Sequence, residues 1–95
     1  MDARVEVKQI PERHRFEIFM DDERVGLLIY RDQGVVRSFD HTEIDPAHER
    51  RGLAATLVRT ALDAARAEGL RVVPACSYVA AFIERNPEYA DLVAA

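Results

Sequence analysis

The sequence predicts an α/β (α+β) domain in which an antiparallel four-stranded meander is followed by a helix, a parallel fifth strand and a C-terminal helix. Two patterns in the sequence predict this fold. Apolar residues alternate with polar ones over the first 44 residues, and they recur at helical spacing from residue 53 onwards. A chain of 95 residues can bury one core, so we expect a single domain over residues 1–95.

The first half of the chain predicts four strands joined by short turns. Residues 4–10 (RVEVKQI) and 15–20 (RFEIFM) alternate with the period of half-buried strands. Residues 24–31 (RVGLLIYR) are apolar at successive positions, which predicts a central strand covered on both faces. Residues 35–44 (VVRSFDHTEI) follow a DQG turn as the fourth strand. The short connections make these strands antiparallel neighbours.

The second half predicts a helix, a strand and a helix. The first helix carries an apolar stripe, with Arg59, Asp63 and Arg66 facing away from it, and Gly69 is placed to end it. The stripe comprises Leu53, Leu57, Val58, Ala61, Leu62 and Ala65. Residues 70–75 (LRVVPA) then predict a buried strand parallel to the fourth, because a helical crossover joins the two. Residues 77–86 (SYVAAFIERN) predict the last helix.

Composition narrows the class of protein. The formal net charge of −4 argues against general nucleic-acid binding, which depends on Lys and Arg neutralising phosphates. The one cysteine has no intramolecular disulfide partner, and the first ten residues lack the apolar core of a signal peptide. The longest uncharged run, Val72 to Ile83, falls short of the ~20 apolar residues that span a bilayer. We therefore expect a cytoplasmic protein with no nucleic-acid or membrane partner.

The stretch DPAHERRGLAATLV, residues 45–58, places positive charge just before the first helix. A helix start already carries partial positive charge, so arginines there are unfavourable unless an anion binds. Gly52 allows the backbone amides to approach a phosphate closely, and Arg50 and Arg51 add donors that fit phosphate oxygens. A solvated basic turn on an amphipathic helix is the alternative interpretation.

The segment ERRGLA, residues 49–54, resembles the Q/R-x-x-G-x-G/A signature of the GNAT superfamily of acetyl-coenzyme A dependent N-acyltransferases. Residues 41–58 (HTEIDPAHERRGLAATLV) and 72–93 (VVPACSYVAAFIERNPEYADLV) are similar to the two characteristic blocks of a minimal, single-domain subgroup. The resemblance implies a GNAT-like fold and transfer of an acetyl group from acetyl-coenzyme A to a primary amine. It also implies that the helix start holds the pyrophosphate of coenzyme A.

The cofactor-binding residues that the resemblance implies lie on the fourth strand, the helix start and the start of the last helix. Strand-four backbone groups would hold the pantetheine arm, and the turn from Arg50 to Ala55 would hold the pyrophosphate. The expected set is Ile44, Asp45, Glu49, Arg50, Arg51, Gly52, Leu53, Ala54, Ala55, Ser77 and Tyr78.

Two residues depart from the superfamily pattern. Glu49 occupies the usual Gln or Arg position, where its carboxylate would repel a pyrophosphate unless turned outward, and Arg50 and Arg51 compensate for it. Ile83 occupies the position at which many members carry a tyrosine that protonates the departing thiolate, and isoleucine cannot donate a proton.

Three residues are candidates for catalysis. Cys76, at a helix start that favours the thiolate, is an acyl-accepting nucleophile or the acid that protonates coenzyme A, and core packing is its ordinary alternative. His41 and Glu43 lie two residues apart on a strand, which puts them on one face if no bulge intervenes. We favour His41 as the general base because histidine titrates near neutral pH, and Glu43 is the alternative.

Other functions remain open from the sequence. An acyl-coenzyme A binding or sensing domain with little turnover is the main alternative, and a small protein-interaction domain is the third class.

No zinc-type spacing links His14, His41, His48 and Cys76, so no metal is expected, and His48 is expected to line the phosphate loop or solvent. The acceptor is a small molecule, a polyamine, a lysine or a protein N-terminus, and the acidic turn at residues 21–23 would attract a cationic one. We expect a monomer or weak dimer.

Overall fold

The computed structural model describes residues 4–49 and 51–94, and it consists of one five-stranded sheet with two helices. The strands are β1 (Val5–Ile10), β2 (Arg15–Met20), β3 (Glu23–Gln33), β4 (Val36–Ile44) and β5 (Arg71–Pro74). The helices are α1 (Leu53–Ala67) and α2 (Ser77–Arg85), with short 3-10 helices at Pro11–Arg13, Pro46–His48 and Pro87–Leu92. The strand order is β1-β2-β3-β4-β5, antiparallel except for the parallel β4 and β5, which confirms the predicted fold class.

A two-residue turn joins β2 to β3. Asp21 has a φ of 49° and Asp22 a φ of 71°. Positive φ at both central residues is the requirement of a type I′ hairpin turn, and aspartate tolerates that conformation better than most residues. Arg4 holds the turn, since its amide donates to the Asp21 carboxylate and its guanidinium pairs with Asp22. The turn fixes the register in which Met20 lies opposite Glu23.

The predicted apolar stripe is the face of α1 that packs on the sheet. All six of its residues are buried, and they form one cluster with Phe16, Leu28 and Phe39 of the strands. Val79 and Phe82 of α2 belong to the same cluster, so both helices cover the same face of the sheet. No helix in the described part of the chain is long and apolar enough to cross a membrane.

The end of α1 follows the prediction for Gly69. This glycine has a φ of 72°, and its amide donates to the Arg66 carbonyl at 3.1 Å. The next amide, from Leu70, reaches back to the Ala65 carbonyl at 2.9 Å. These two bonds form a Schellman motif, which satisfies carbonyls that the end of a helix would leave unpaired.

The polar residues of α1 face away from the stripe, as predicted, and they hold the C-terminal segment. The Tyr89 hydroxyl donates to the Asp63 carboxylate at 2.7 Å, and Arg66 pairs with Asp91 at 2.8 Å. Arg59 donates to the Asn86 side chain at 3.2 Å and lies over the ring of Tyr89. This polar face therefore anchors the chain that follows α2.

The prediction that the third strand is covered on both faces was wrong. The register with β4 puts Leu27 and Ile29 on the face opposite Leu28, and both side chains are only half-buried. Both helices pack on the other face, the one that carries Leu28. The uncovered face carries ion pairs instead, such as that of Arg31 with Asp40 at 2.5 Å. A run of apolar residues thus marks a central strand here without marking two covering layers.

Gly26 of β3 provides a test of this packing. A Cβ atom there would lie 2.5 Å from Ile44 Cδ1, 2.7 Å from the Glu43 carbonyl oxygen and 3.0 Å from Ile18 Cγ2. We expect Gly26→Ala to lower the free energy of unfolding by about 1–3 kcal/mol, because the added methyl group overpacks the sheet. Urea denaturation measures the change. Gly34→Asn is the control, since a Cβ at Gly34 has no neighbour within 4 Å and asparagine tolerates its positive φ. Equal stability of both variants would contradict this packing.

Candidate active site

The two parallel strands pair over a short distance only. Four residue pairs join β4 to β5, and the last is Phe39 with Pro74. β4 then runs on for five more residues, to Ile44. Within the described ranges, no strand pairs with this last part of β4 on the side where β5 would lie. A gap therefore opens between the carboxyl ends of the two strands.

A tight turn after β5 produces the gap. The Ala75 amide donates back to the Val73 carbonyl at 3.0 Å, which takes the chain out of the sheet. The Cys76 amide then donates to the Phe39 carbonyl at 2.8 Å, and α2 begins at the next residue. The start of α2 consequently faces the unpaired part of β4.

A pocket of about 400 Å³ lies in this gap. β4 forms one side of the pocket, and the loop before α1 together with the first residues of α1 forms the other. The aromatic ring of Tyr78 on α2 closes the pocket. The lining residues are Thr42, Ile44, His48, Glu49, Gly52, Leu53, Ala54 and Tyr78. The pocket therefore combines a strand edge with the starts of two helices.

The start of α1 has no capping side chain. Gly52 occupies the N-cap position with a φ of 73°, and no side chain among residues 4–49 and 51–94 accepts a hydrogen bond from the first turn there. The first bond within the helix runs from the Thr56 amide to the Gly52 carbonyl at 3.1 Å. The amides of the preceding turn, which includes Leu53 and Ala54, lack such a helical partner. Together with the positive end of the helix dipole, they can bind an anion.

The structure places the predicted cofactor-binding residues in two groups. The first group lines the pocket and comprises Ile44, Glu49, Gly52, Leu53, Ala54 and Tyr78. The second group lies around it: Asp45 accepts a hydrogen bond from the Ala47 amide at 3.0 Å, Arg51 is exposed in the loop, Ala55 packs against the core and Ser77 begins α2. Arg50 lies outside the described residues.

Two lining residues were not on the predicted set. Thr42 reaches the pocket because it lies two residues before Ile44 and therefore shares its face of β4. His48 ends the short 3-10 helix Pro46–His48, which places this residue at the pocket. Strand parity with Ile44 is the signal that predicts Thr42, and the place of His48 beside Glu49 and Gly52 agrees with the expectation that it lines the phosphate loop.

Cys76 occupies the N-cap of α2, as its sequence position suggested, and is partly buried. Its Sγ lies 3.5 Å from the Thr42 hydroxyl, so the thiol touches the pocket wall. Burial raises the pKa of the thiol, but the Thr42 hydroxyl and the amides of Val79, Tyr78 and Thr42 stabilise the thiolate, and the net effect lowers the pKa. The amides reach the sulfur without the geometry of a full cap.

His41 and Glu43 lie together on one face of β4. The imidazole Nε2 and a Glu43 carboxylate oxygen are 3.0 Å apart, and both side chains are more than half exposed. Neither lines the pocket, because Thr42 and Ile44 alternate with them and face the helices. The pair therefore lies on the uncovered face of the sheet, across β4 from the pocket.

Ile83 does not contribute to the pocket, and the described residues form no metal site. Ile83 is 7% exposed and belongs to the core cluster, so the phenol that lines the pocket comes from Tyr78 instead. Within residues 4–49 and 51–94, no group of three His, Cys, Asp or Glu side chains is arranged to hold a metal ion.

Comparison with known sequences points to one family. The sequence profile of the GCN5-related N-acetyl-transferase family matches residues 15–92. Protein NATD1 of Bos taurus is 31% identical over 86 residues, which cover 87% of this chain and 75% of that protein. Protein NATD1 of Gallus gallus is 29% identical over 86 residues, which cover 87% of this chain and 77% of that protein.

Solved structures of similar fold are acetyltransferases and related proteins. A GCN5-like protein from Staphylococcus aureus superposes with a TM-score of 0.73 at 22% identity, covering 94% of this chain and 87% of that one. The ribosomal-protein-S18-alanine N-acetyltransferase of Escherichia coli gives a TM-score of 0.66 at 20% identity, over 79% of this chain and 52% of that one. At these identities the likeness establishes the fold.

The environment of Cys76 predicts a reactive thiol. We expect iodoacetamide to alkylate Cys76 with a pH-rate profile whose midpoint lies below that of an ordinary thiol, because its pKa is lowered. Thr42→Val removes the hydroxyl at the sulfur, so it should raise the midpoint and slow the reaction at pH 7 while leaving the rate at high pH unchanged. Mass spectrometry follows the adduct on this single cysteine. Thr60→Val, the same change on α1, is the control, and an equal shift in both variants would refute the assignment.

Proposed function

The chain belongs to the GCN5-related N-acetyltransferase family, and on that premise we propose that it transfers an acetyl group from acetyl-coenzyme A to a primary amine. The observation that supports this most directly is the pocket in the gap between β4 and β5, where the uncapped start of α1 meets an unpaired strand edge. Such a pocket offers a binding place for an anion at one end and for an extended, amide-containing chain along its side.

The anion in this proposal is the pyrophosphate of coenzyme A. The amides at the start of α1 donate to its oxygens, and Gly52 keeps the backbone within reach because it has no side chain. Arg51 is exposed beside this turn and adds a charge-assisted contact. Glu49 lines the same pocket, so its carboxylate opposes an anion and makes these positive contributions necessary.

The pantetheine arm extends along β4 toward Cys76. The backbone of Ile44 supplies a donor and an acceptor for its amides. Asp45 does not, because its amide donates to the Val25 carbonyl at 2.7 Å and its carbonyl accepts the His48 amide at 2.8 Å. Tyr78, which lines the pocket, and the neighbouring Ser77 contact the arm from α2. This direction brings the thioester to the place where Thr42 and the Cys76 sulfur lie 3.5 Å apart.

Two routes use Cys76. In direct transfer, the amine nitrogen bonds to the acetyl carbonyl carbon, the carbon–sulfur bond of the thioester breaks, and Cys76 gives a proton to the departing thiolate. In the two-step route, the Cys76 thiolate first takes the acetyl group and releases coenzyme A, and the amine then attacks the new thioester. The lowered pKa of the thiol favours its role as a nucleophile in the two-step route, while its place at the pocket wall suits both routes. Direct attack is the superfamily default.

The amine loses its proton to the His41 and Glu43 pair. The carboxylate accepts a hydrogen bond from the imidazole when the ring is protonated on Nε2, so the pair can share the proton that leaves the amine. Because the pair lies on the uncovered face of the sheet, the acceptor approaches from that side. The uncovered face also has a groove of about 670 Å³ that Ile29, Val36 and Val73 help to line, which suits an amine on a large carrier such as a lysine or a protein N-terminus.

Binding of an acyl-coenzyme A with little turnover is the second candidate. It is favoured by the burial of Ile83 in the core, which leaves the usual position of the tyrosine acid without a proton donor. In this case the pocket binds the same ligand, and the two functions differ only in the rate of acetyl transfer.

Gly52 and Gly69 form a matched pair for testing the cofactor site. Both have positive φ, of 73° and 72°, and a Cβ at either would meet no protein atom within 4 Å. Each Gly→Ala change should therefore cost a similar ~1–2 kcal/mol of stability for a left-handed alanine. Only Gly52→Ala puts a methyl group at the pocket, so it alone should weaken coenzyme A binding, by roughly ten- to a hundredfold for one lost charged hydrogen bond.

Calorimetric titration with coenzyme A and thermal melting of the unliganded variants measure the two effects. If both variants bind coenzyme A weakly, or if neither does, the start of α1 is not part of the coenzyme A site.

The reaction itself is tested with acetyl-coenzyme A and a panel of amines: a lysine peptide, a peptide with an unblocked N-terminus, and spermidine. We expect thiol release that depends on an amine, and Cys76→Ser should retain coenzyme A binding while losing at least about tenfold in rate, since general acid catalysis and nucleophilic catalysis each contribute that much or more. Mass spectrometry after mixing with acetyl-coenzyme A alone separates the routes, because only the two-step route leaves an acetyl group on Cys76.

Binding without amine-dependent release would support the second candidate. Full turnover by Cys76→Ala would exclude both catalytic roles of the thiol and would leave core packing as its role.

A further inference from the structure

His48 has a buried nitrogen that makes no hydrogen bond with any described residue. His48 lines the pocket, its side chain is 20% exposed, and Nδ1 is the nitrogen that is inaccessible to water. A buried polar atom without a partner costs free energy, so its presence in a binding pocket calls for a functional explanation.

Asp45 faces this nitrogen. One carboxylate oxygen of Asp45 accepts the Ala47 amide at 3.0 Å, which fixes the side chain at the start of the short 3-10 helix. The other oxygen lies 3.8 Å from His48 Nδ1, slightly beyond hydrogen-bond distance. With Nδ1 directed at Asp45, Nε2 is the nitrogen that can face the pocket, and a protonated ring would have a partner for each N–H group.

The other groups near His48 include both negative and positive charges. Glu49, next to it, lines the same pocket with a carboxylate, and Tyr78 adds a phenol from α2. Arg51 lies exposed two residues further along the loop, and the first turn of α1 contributes apolar side chains only. Arg50 adjoins this loop in the sequence, outside the described residues. Asp45 is thus the carboxylate within 4 Å of the imidazole, and Glu49 adds a second negative charge to the pocket.

We propose that His48, positioned by Asp45, is a proton-dependent ligand for a phosphate group of the acyl carrier, and that binding takes up a proton on its imidazole. This inference rests on the proposed coenzyme A site. The imidazolium donates from Nε2 to a phosphate oxygen and from Nδ1 to Asp45, and its charge offsets that of Glu49. Because imidazole is the side chain that can gain a proton near neutral pH, a lower pH favours the contact.

The sign of the pH dependence follows from this uptake. A ligand that binds the protonated form better must bind more tightly as the pH falls. We expect the dissociation constant to be about tenfold lower at pH 6 than at pH 8, the value of one charge-assisted hydrogen bond.

The experiment uses dephospho-coenzyme A as the probe, because it keeps the pyrophosphate and lacks the phosphomonoester, whose own ionisation near pH 6 would confuse the result. Isothermal titration at pH 6, 7 and 8, in two buffers of different ionisation enthalpy, gives both the affinity and the number of protons taken up. His48→Gln removes the titrating group, and Asp45→Asn keeps the acceptor for the Ala47 amide while removing the charge. His14→Asn is the control, because His14 lies exposed in a turn away from the pocket and asparagine tolerates its φ of 53°.

We expect the wild-type protein and His14→Asn to bind with proton uptake and the full pH dependence. His48→Gln should bind at pH 8 as the wild type does and show no dependence on pH, and Asp45→Asn should show a reduced dependence. A pH dependence that persists in His48→Gln would overturn the proposal, as would binding by the wild type without proton uptake. Absence of binding by every protein at every pH would instead refute the coenzyme A site itself.

Discussion

The early end of the pairing between β4 and β5 is the constraint on which the site depends. Had β5 continued beside β4 to Ile44, the ladder would have used the backbone groups that now face the pocket. The Ala75 amide instead turns back to Val73, and α2 starts at Ser77. Helices that follow parallel strands begin at the carboxyl ends of those strands, so the starts of α1 and α2 meet at the gap. One local turn thus brings an unpaired strand edge and two helix starts together.

The gap is held at its width by contacts on both sides of β5. On one side, Phe39 accepts the Cys76 amide, and on the other the Ala94 amide donates to the Val72 carbonyl at 2.8 Å. The segment that ends in Ala94 is anchored to α1 through the bond between Tyr89 and Asp63. Because α1 itself is fixed to the sheet by six buried residues, movement of β5 would require several packed elements to shift together.

Hydrophobic periodicity predicted the elements, and it could not predict which face of β4 meets the helices. The strands and helices begin and end within a few residues of their expected bounds, because repeats of 2 and 3.6 residues specify them directly. The face depends on a bulge: Tyr30 pairs with Phe39 and Ile29 with His41, so Asp40 is an extra residue that reverses the alternation. Thr42 therefore faces the helices, and His41 and Glu43, correctly predicted to share a face, lie opposite. The pattern of residues 36–44 contains no signal for that bulge.

Under the proposed function, the donor and the acceptor meet at β4 from opposite faces, and charge pairing decides which carboxylate on the uncovered face can serve as a base. Hydrogen bonds from Arg31 and Ser38 lower the pKa of Asp40, which makes that carboxylate a weaker proton acceptor. Glu43 pairs instead with a histidine, whose imidazole can itself accept or donate a proton, whereas an arginine keeps its charge. Of these two carboxylates of β4, Glu43 is therefore the one whose surroundings leave proton transfer available.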